Sequence, residues 1–227
     1  MLGTIVNIIA IILGTLLGIF IKKGIKEKYK NTIIDGIGLS VAIIGITGAV
    51  ETNNIILVIG SIVVGSIIGE LIDIDLKLEN LGDRLEQKFG KGDSNFSKGF
   101  VTASLVFVIG AMAIVGSLES GLSGNHETLF AKSILDGVMS VIFASTLGIG
   151  VAFSVFPVFI YQGSITLLAN LVKDVLTPEV ITEMSAVGGI LILAIGINIL
   201  GIKKIKVANM LPAIFVPIIY LALTNII

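Results

Sequence analysis

The sequence predicts an all-α integral membrane protein with about eight transmembrane helices. Three observations carry that prediction. Hydrophobic residues fill 55% of the 227 positions and charged residues only 14%, against roughly 25% in soluble chains, and the mean hydropathy is +1.07. Apolar stretches of about 20 residues, enough to cross a hydrocarbon core about 30 Å thick, follow one another along nearly the whole chain. The cations collect in every second connection between them: Lys22, Lys23, Lys26, Lys28 and Lys30, then Lys77, Arg84, Lys88, Lys91 and Lys98, then Lys203, Lys204 and Lys206. Lys and Arg are retained on the cytoplasmic side during insertion. Those connections are therefore expected inside and both termini outside, as in a multi-pass protein of the cell inner (plasma) membrane. Only Lys132 and Lys173 fall on the other side.

The first helix is expected over about 3–22, with Gly14, Thr15 and Gly18 as a small-residue stripe for close helix contact. No basic segment precedes it and five lysines follow it, the wrong flanks for a cleaved signal peptide. A second helix (about 33–50) leads through the turn Glu51-Thr52-Asn53-Asn54 to a third (about 55–73). Over 74–89, Ile74, Leu78, Leu81, Leu85 and Phe89 recur at three- and four-residue steps among charged residues, the period of an amphipathic helix. It either continues the third helix into the cytoplasm or lies on the inner leaflet, and a linker from Gly90 to Ser97 follows. The fourth helix covers about 99–118, the fifth starts near 129, and the sixth covers about 149–172 with Pro157 and Tyr161-Gln162-Gly163-Ser164. The seventh spans about 184–201 and the eighth about 208–226, with Pro212 and Pro217. The chain 1–227 thus reads as a single membrane domain. Helices one to three occupy 1–73, the cytoplasmic amphipathic helix and linker 74–97, helices four and five 98–148, and helices six to eight 149–227.

Two weak self-matches point to an internal repeat. The run from Asp35 to Ile46 shares its rhythm with Ser185 to Ile197, and Leu13-Gly14-Thr15-Leu16 aligns with Gln162-Gly163-Ser164-Ile165 at nearly the same offset. These pair helices one to three with helices six to eight. A competing register sets Thr32–Gly36 against Ser133–Gly137. Either shift is an odd number of crossings, so the halves would be of inverted topology, an architecture common among secondary transporters.

Composition also excludes classes. No Cys is present, which removes disulfides and thiol chemistry, and the single histidine, His126, reads as a loop residue. No metal site, cofactor or nucleic-acid surface is expected. Zincin, nucleophile-elbow and P-loop motifs are absent, so an enzyme is not expected.

Ionisable groups inside spanning helices are costly and mark a site by default. Lys132 and Asp136 lie four residues apart, on one helix face where they can pair, with Ser133, Gly137 and Ser140 around them. Asp136 is the leading candidate to bind or relay a cation or proton, with Lys132 as its counter-ion. Gln162 and Ser164 supply neutral ligands where Pro157 and Gly163 suggest a broken helix with free carbonyls. Asn209 completes the first group. Asp35, Glu70, Glu119 and Asn198 form a second: Asp35 and Glu70 sit near helix ends, Glu119 can join Lys132 and Asp136 across the outer loop, and Asn198, like Asn209 and Asn7, reads more readily as interhelical glue than as a ligand.

The segments Gly99–Leu105, Gly110–Leu118 and Gly121–Gly124 resemble the uncharacterised prokaryotic multi-pass membrane family typified by YqgA and YdfK, a domain-of-unknown-function family. Lys132–Gly137, Ser145–Gly150, Tyr161-Gln162-Gly163 and Val207–Ala213 match its later signatures. The resemblance covers essentially the whole chain. It implies an inner-membrane protein with no established substrate and adds weight to Lys132, Asp136, Gln162 and Asn209. The expected function is a small secondary transporter or ion-conducting protein moving an ion or solute the sequence does not name, working as a homodimer. The alternatives are a selective channel, or a scaffold that acts through the 74–89 helix.

Overall fold

The computed structural model describes residues 1–22, 27–89 and 95–224. Lys23, Lys26 and Lys91, with most of the 90–97 linker, lie outside the described residues. In chain order the helices are α1 (Leu2–Lys22), α2 (Glu27–Ala49), α3 (Ile55–Ile72), α4 (Ile74–Phe89), α5 (Phe96–Val108), α6 (Ala111–Leu122), α7 (Glu127–Leu147), α8 (Val155–Leu167), α9 (Ala169–Val172), α10 (Pro178–Ile199) and α11 (Val216–Thr224). Tight 3-10 segments, Ile149–Ser154 and Val207–Phe215, lead into α8 and α11. The described residues contain no strand.

Among the described residues, six helices are long and apolar enough to cross a membrane: α1, Asn31–Ala49 of α2, α3, α7, Ile149–Leu167 and α10. Counting α5 and α6 as one bent span gives seven, and Val207–Leu223 is a shorter apolar helix at the place of the expected eighth. Their outer rows are apolar and exposed, as at Leu16, Leu17 and Phe20 of α1, Ile56, Ile67 and Leu71 of α3, and Ile134 of α7. Water would penalise such continuous apolar surface, whereas lipid solvates it.

Three expected elements differ in detail. The fourth helix is two, α5 and α6, set at 61°; Gly110 between them takes φ +138, a conformation that needs glycine. The amphipathic helix α4 does not continue α3. Asp73 closes α3 in the left-handed region (φ 55) and donates its backbone N–H to the Gly69 carbonyl, a conformation aspartate tolerates better than most residues. The sixth helix is not broken around Gln162. Pro157 sits in the first turn of α8, where its missing N–H costs little, and the helix runs on to Leu167. The interruption lies earlier, at Gly148 (φ 82).

The chain forms two compact units. Unit 1 comprises Met1–Ile37, Leu78–Val108 and Met112–Asn170. At its centre α1 runs parallel to α7: Gly3 lies against Leu129, Gly14 against the Gly137 carbonyl, and Gly18 against the Val141 carbonyl. Glycine at 14 and 18 lets the backbones meet where any Cβ would collide with main chain. α5 docks on the 149–154 segment with Gly150 against the Phe96 carbonyl, and Phe153 joins Phe96 and Phe89 at 5.0 and 5.2 Å between ring centres.

Unit 2 comprises Gly38–Lys77, Ile109–Ala111 and Leu171–Ile227. Here α2 runs antiparallel to α10, with Gly38 against Leu200, Ala42 against Gly196, and Gly45 against Gly189 and Leu193. α3 lies antiparallel to the 207–215 segment, Gly65 on Ala213 and Gly69 on the Asn209 carbonyl. Thr177 caps α10 by accepting from the Val180 N–H, ahead of Pro178 in the first turn.

Candidate functional site

The chemistry of unit 1 is built on α7. Ser133 and Ser140 bond back to the Leu129 and Asp136 carbonyls at 2.6 and 2.7 Å. Lys132 and Asp136, one turn apart, are each only 6% exposed. The Lys132 ammonium donates to both carboxylate oxygens, at 2.9 and 2.7 Å. From α1, Asn7 Nδ2 donates to Asp136 Oδ2 at 2.9 Å. Asp136 stands nine residues after Glu127, about 14 Å along the helix at 1.5 Å per residue, near half the thickness of a bilayer core. The ion pair expected from the i, i+4 spacing is thus present and buried, and an interhelical amide holds its carboxylate.

The same unit holds a set of buried polar atoms without hydrogen-bond partners: Asn7 Oδ1, on the residue that bonds Asp136, and Thr4 Oγ1, Thr15 Oγ1, Ser117 Oγ, Thr166 Oγ1 and both amide atoms of Gln162. All belong to α1, α6 and α8 of unit 1. Each such group ordinarily costs about 1–3 kcal/mol when buried unbonded, so their concentration in one unit calls for an explanation. The helices that carry them converge. Leu129 of α7 packs against Gly3 of α1 and Gly116 of α6, Gly121 of α6 rests on the Thr166 carbonyl, and the Met1 side chain reaches Gly163. One turn before Gly121 and Thr166, on the same helices, stand Ser117 and Gln162.

The other expected residues do not join this cluster. Ser164 is exposed and bonds back to the Tyr161 carbonyl at 2.9 Å. Glu119, half-buried, accepts from Thr128 Oγ1 at 2.6 Å rather than meeting Lys132. Asp35 is exposed. Asn209 belongs to unit 2, where it works as a clasp: Nδ2 donates to Glu70 Oε2 at 2.6 Å and Oδ1 accepts the Asp75 N–H at 2.7 Å. Glu70 also pairs with Lys206 at 2.6 Å, both more than half exposed, and the carboxylate holds the Lys206 ammonium above its ordinary pKa. Asn198 closes the 201–205 turn by bonding both the N–H and the carbonyl of Ile205. His126 faces Ser120 at 3.0 Å, and no group of acidic or histidine side chains suited to a metal occurs among the described residues.

Sequence reasoning missed Glu183. It is 2% exposed and accepts from Thr52 Oγ1 at 2.5 Å and the Asn53 N–H at 2.9 Å, tying α10 to the turn before α3. The signal was available: Thr177-Pro178-Glu179 is a helix-start signature, which places Glu183 inside α10 rather than in the loop.

Against this geometry, comparison with known proteins is informative about ancestry. Residues 2–222 match the model of the family described as a protein of unknown function, DUF554. The chain belongs to the DUF554 family. Relatives in it include the uncharacterized membrane protein YdfK of Bacillus subtilis (strain 168), 38% identical over 221 residues, covering 96% of this chain and 94% of the relative. The uncharacterized protein YqgA of Escherichia coli (strain K12) is 31% identical over 220 residues, covering 94% and 93%. No solved structure matches this DUF554 chain. Membership agrees with the apolar helices in making it a membrane protein.

Proposed function

We propose that the protein is a small secondary transporter of the inner (plasma) membrane, with eight spans, both termini outside, and its transport site in the polar interior of unit 1. One observation carries the reading. A buried Lys132–Asp136–Asn7 constellation sits in the first half of the apolar span α7, in the same unit as helices bearing Gln162 and hydroxyls with no protein partners. A polar set of this kind is expensive in a purely structural core and useful where a polar solute passes.

We include in this proposal the inverted repeat of helices one to three and six to eight. Each pair it relates is a packed pair: α1 with α8, α2 with α10, and α3 with the segment leading into α11. A selective cation channel fits less well, because Lys132 already compensates Asp136. Beside the pair, a bare cation's attraction to the carboxylate is about cancelled by repulsion from the ammonium, leaving little to offset its desolvation. The scaffold reading through α4 is weakened because its second half docks on its own chain: Gly82 lies against Ser97, Glu86 accepts the Ser97 N–H at 3.3 Å, and Phe89 stacks near Phe153. We extend the proposal to a homodimer, with α3 offering a contact face around Gly60, which has open space before it.

The chain contains no cysteine, so single cysteines report without background. Ser133→Cys and Gln162→Cys in proteoliposomes are expected to react with a small water-borne methanethiosulfonate at least tenfold faster than Leu191→Cys, which is fully buried in unit 2. Equal, slow labelling of all three would mean a dry core and would sink the transporter reading.

A further inference from the structure

We infer that the unit 1 site recognises a small zwitterion, one ammonium and one carboxylate on a short carbon skeleton. The inference rests on the transport-site reading and names its substrate class.

Charge balance comes first. The site holds one buried cation and one buried anion, already paired. Adding a lone ion of either sign leaves uncompensated charge out of water, which proteins tolerate poorly. A zwitterion adds none. Its carboxylate meets the Lys132 ammonium and its ammonium meets the Asp136 carboxylate, turning one ion pair into a closed ring of alternating charge.

Bonding capacity points the same way. An ammonium has three donors, and Lys132 spends two on Asp136. A carboxylate has about four acceptor sites, and Asp136 uses three, two for Lys132 and one for Asn7. One donor and one acceptor therefore remain on the pair itself. Asn7 fixes the carboxylate from α1 while the four-carbon stem of Lys132 is free to adjust.

Neutral atoms in the unit 1 interior, Asn7 Oδ1 beside the pair and the others on helices that converge with α1 and α7, favour one ligand class. Those without partners include a donor-only atom, Gln162 Nε2, acceptor-only atoms, Gln162 Oε1 and Asn7 Oδ1, and the hydroxyls of Thr4, Ser117 and Thr166, which do both. A metal or alkali cation would engage only acceptors and leave Gln162 Nε2 unsatisfied. A simple anion would engage only donors and leave the two amide oxygens. A zwitterion uses both kinds. Among the described residues unit 2 offers no comparable set: the side-chain oxygens of its buried carboxylate Glu183 are bonded to Thr52 and Asn53.

The test is thermal melting of the purified full chain in detergent against each of the standard amino acids and β-alanine, with methylammonium, acetate and sodium chloride as single-charge controls. At about one hundred times Kd a binder raises Tm by several degrees. At least one zwitterion is expected to do so, and no control. Lys132→Met and Asp136→Asn should each abolish the shift. Should either fail to fold, the exchange Lys132→Asp with Asp136→Lys keeps the pair and should retain a shift, because a zwitterion can bind reversed. A shift by acetate or methylammonium equal to the best zwitterion, or no shift by any zwitterion, overturns the inference. Fast labelling at Ser133→Cys with no zwitterion shift would leave the transporter reading standing and remove only the substrate class.

Discussion

The two units put their polar residues to opposite uses. In unit 2, Asn209, Asn198 and Glu183 bond mainly to backbone and turn residues, and each closes a helix end or a loop. In unit 1, Lys132 and Asp136 bond to each other and to one amide, while Gln162 bonds to no protein group. Residue type alone does not separate clasp from site, since an asparagine serves in each. What separates them is whether the polar atoms are satisfied by the chain, and the following substitutions act on that distinction.

The largest effect is expected from Asp136→Leu, which strands the Lys132 ammonium among apolar neighbours. Breaking a buried pair by removing one partner costs about 3–5 kcal/mol, read as a large fall in Tm in detergent. Lys132→Met combined with Asp136→Leu should recover most of that loss, since replacing both charges by apolar groups is often neutral. A double variant as unstable as the single one would show that the pair itself holds α7 in place.

Next comes the helix contact that carries the site. Gly14→Val drives a side chain into the Gly137 carbonyl, and overpacking of this kind typically costs about 1–3 kcal/mol or more where backbone is the obstacle. Gly36→Ala in α2, with nothing within 4 Å of its new Cβ, should leave Tm unchanged or slightly higher, because alanine is the better helix former. Equal losses in the two variants would mean that α1 and α7 do not meet through Gly14.

A matched amide pair tests the comparison most directly. Asn209→Leu removes the bonds to Glu70 and to the Asp75 N–H and should lower stability by about 1–3 kcal/mol. Gln162→Leu removes an amide with no protein partners, so it should leave Tm unchanged or raise it while abolishing the zwitterion shift. A fall in Tm at Gln162→Leu as large as at Asn209→Leu would erase the difference between the units.

Much of this was legible in the sequence, for physical reasons that differ by element. The spans follow from length and hydropathy, and the Lys132–Asp136 pair from its four-residue spacing. Helix breaks were harder to read. Pro157 and Gln162-Gly163 suggested an interruption, but a proline in the first turn of α8 disturbs nothing, and the real break falls at Gly148, which takes positive φ. Asn7 lies 129 residues from Asp136, so no local pattern could join them, and it read as packing glue. Glu183 was lost by starting its helix near 184, although the Thr177-Pro178 cap marks the start six residues earlier. Asn209 read more as an interhelical bond than as a ligand, and it is one, joining the 207–215 segment to Glu70 of α3; its second partner, the Asp75 N–H, lies too far away in the sequence for a local pattern to show.

The smallest effect is expected at the Glu70–Lys206 pair, and its direction with pH can be stated. Glu70 holds the Lys206 ammonium above its ordinary pKa, so the pair's contribution is fully present below the unfolded lysine value and is lost as pH rises through the higher folded one. Both side chains are more than half exposed, where solvent and salt screen such pairs to little net value. Lys206→Met should therefore move Tm by less than about 2 °C at neutral pH, and the difference from wild type should shrink as pH rises through the raised lysine value, or in molar salt. A larger shift that survives molar salt would mean that Lys206 holds unit 2 by packing its stem rather than by its charge, and the clasp would then rest on Asn209 alone.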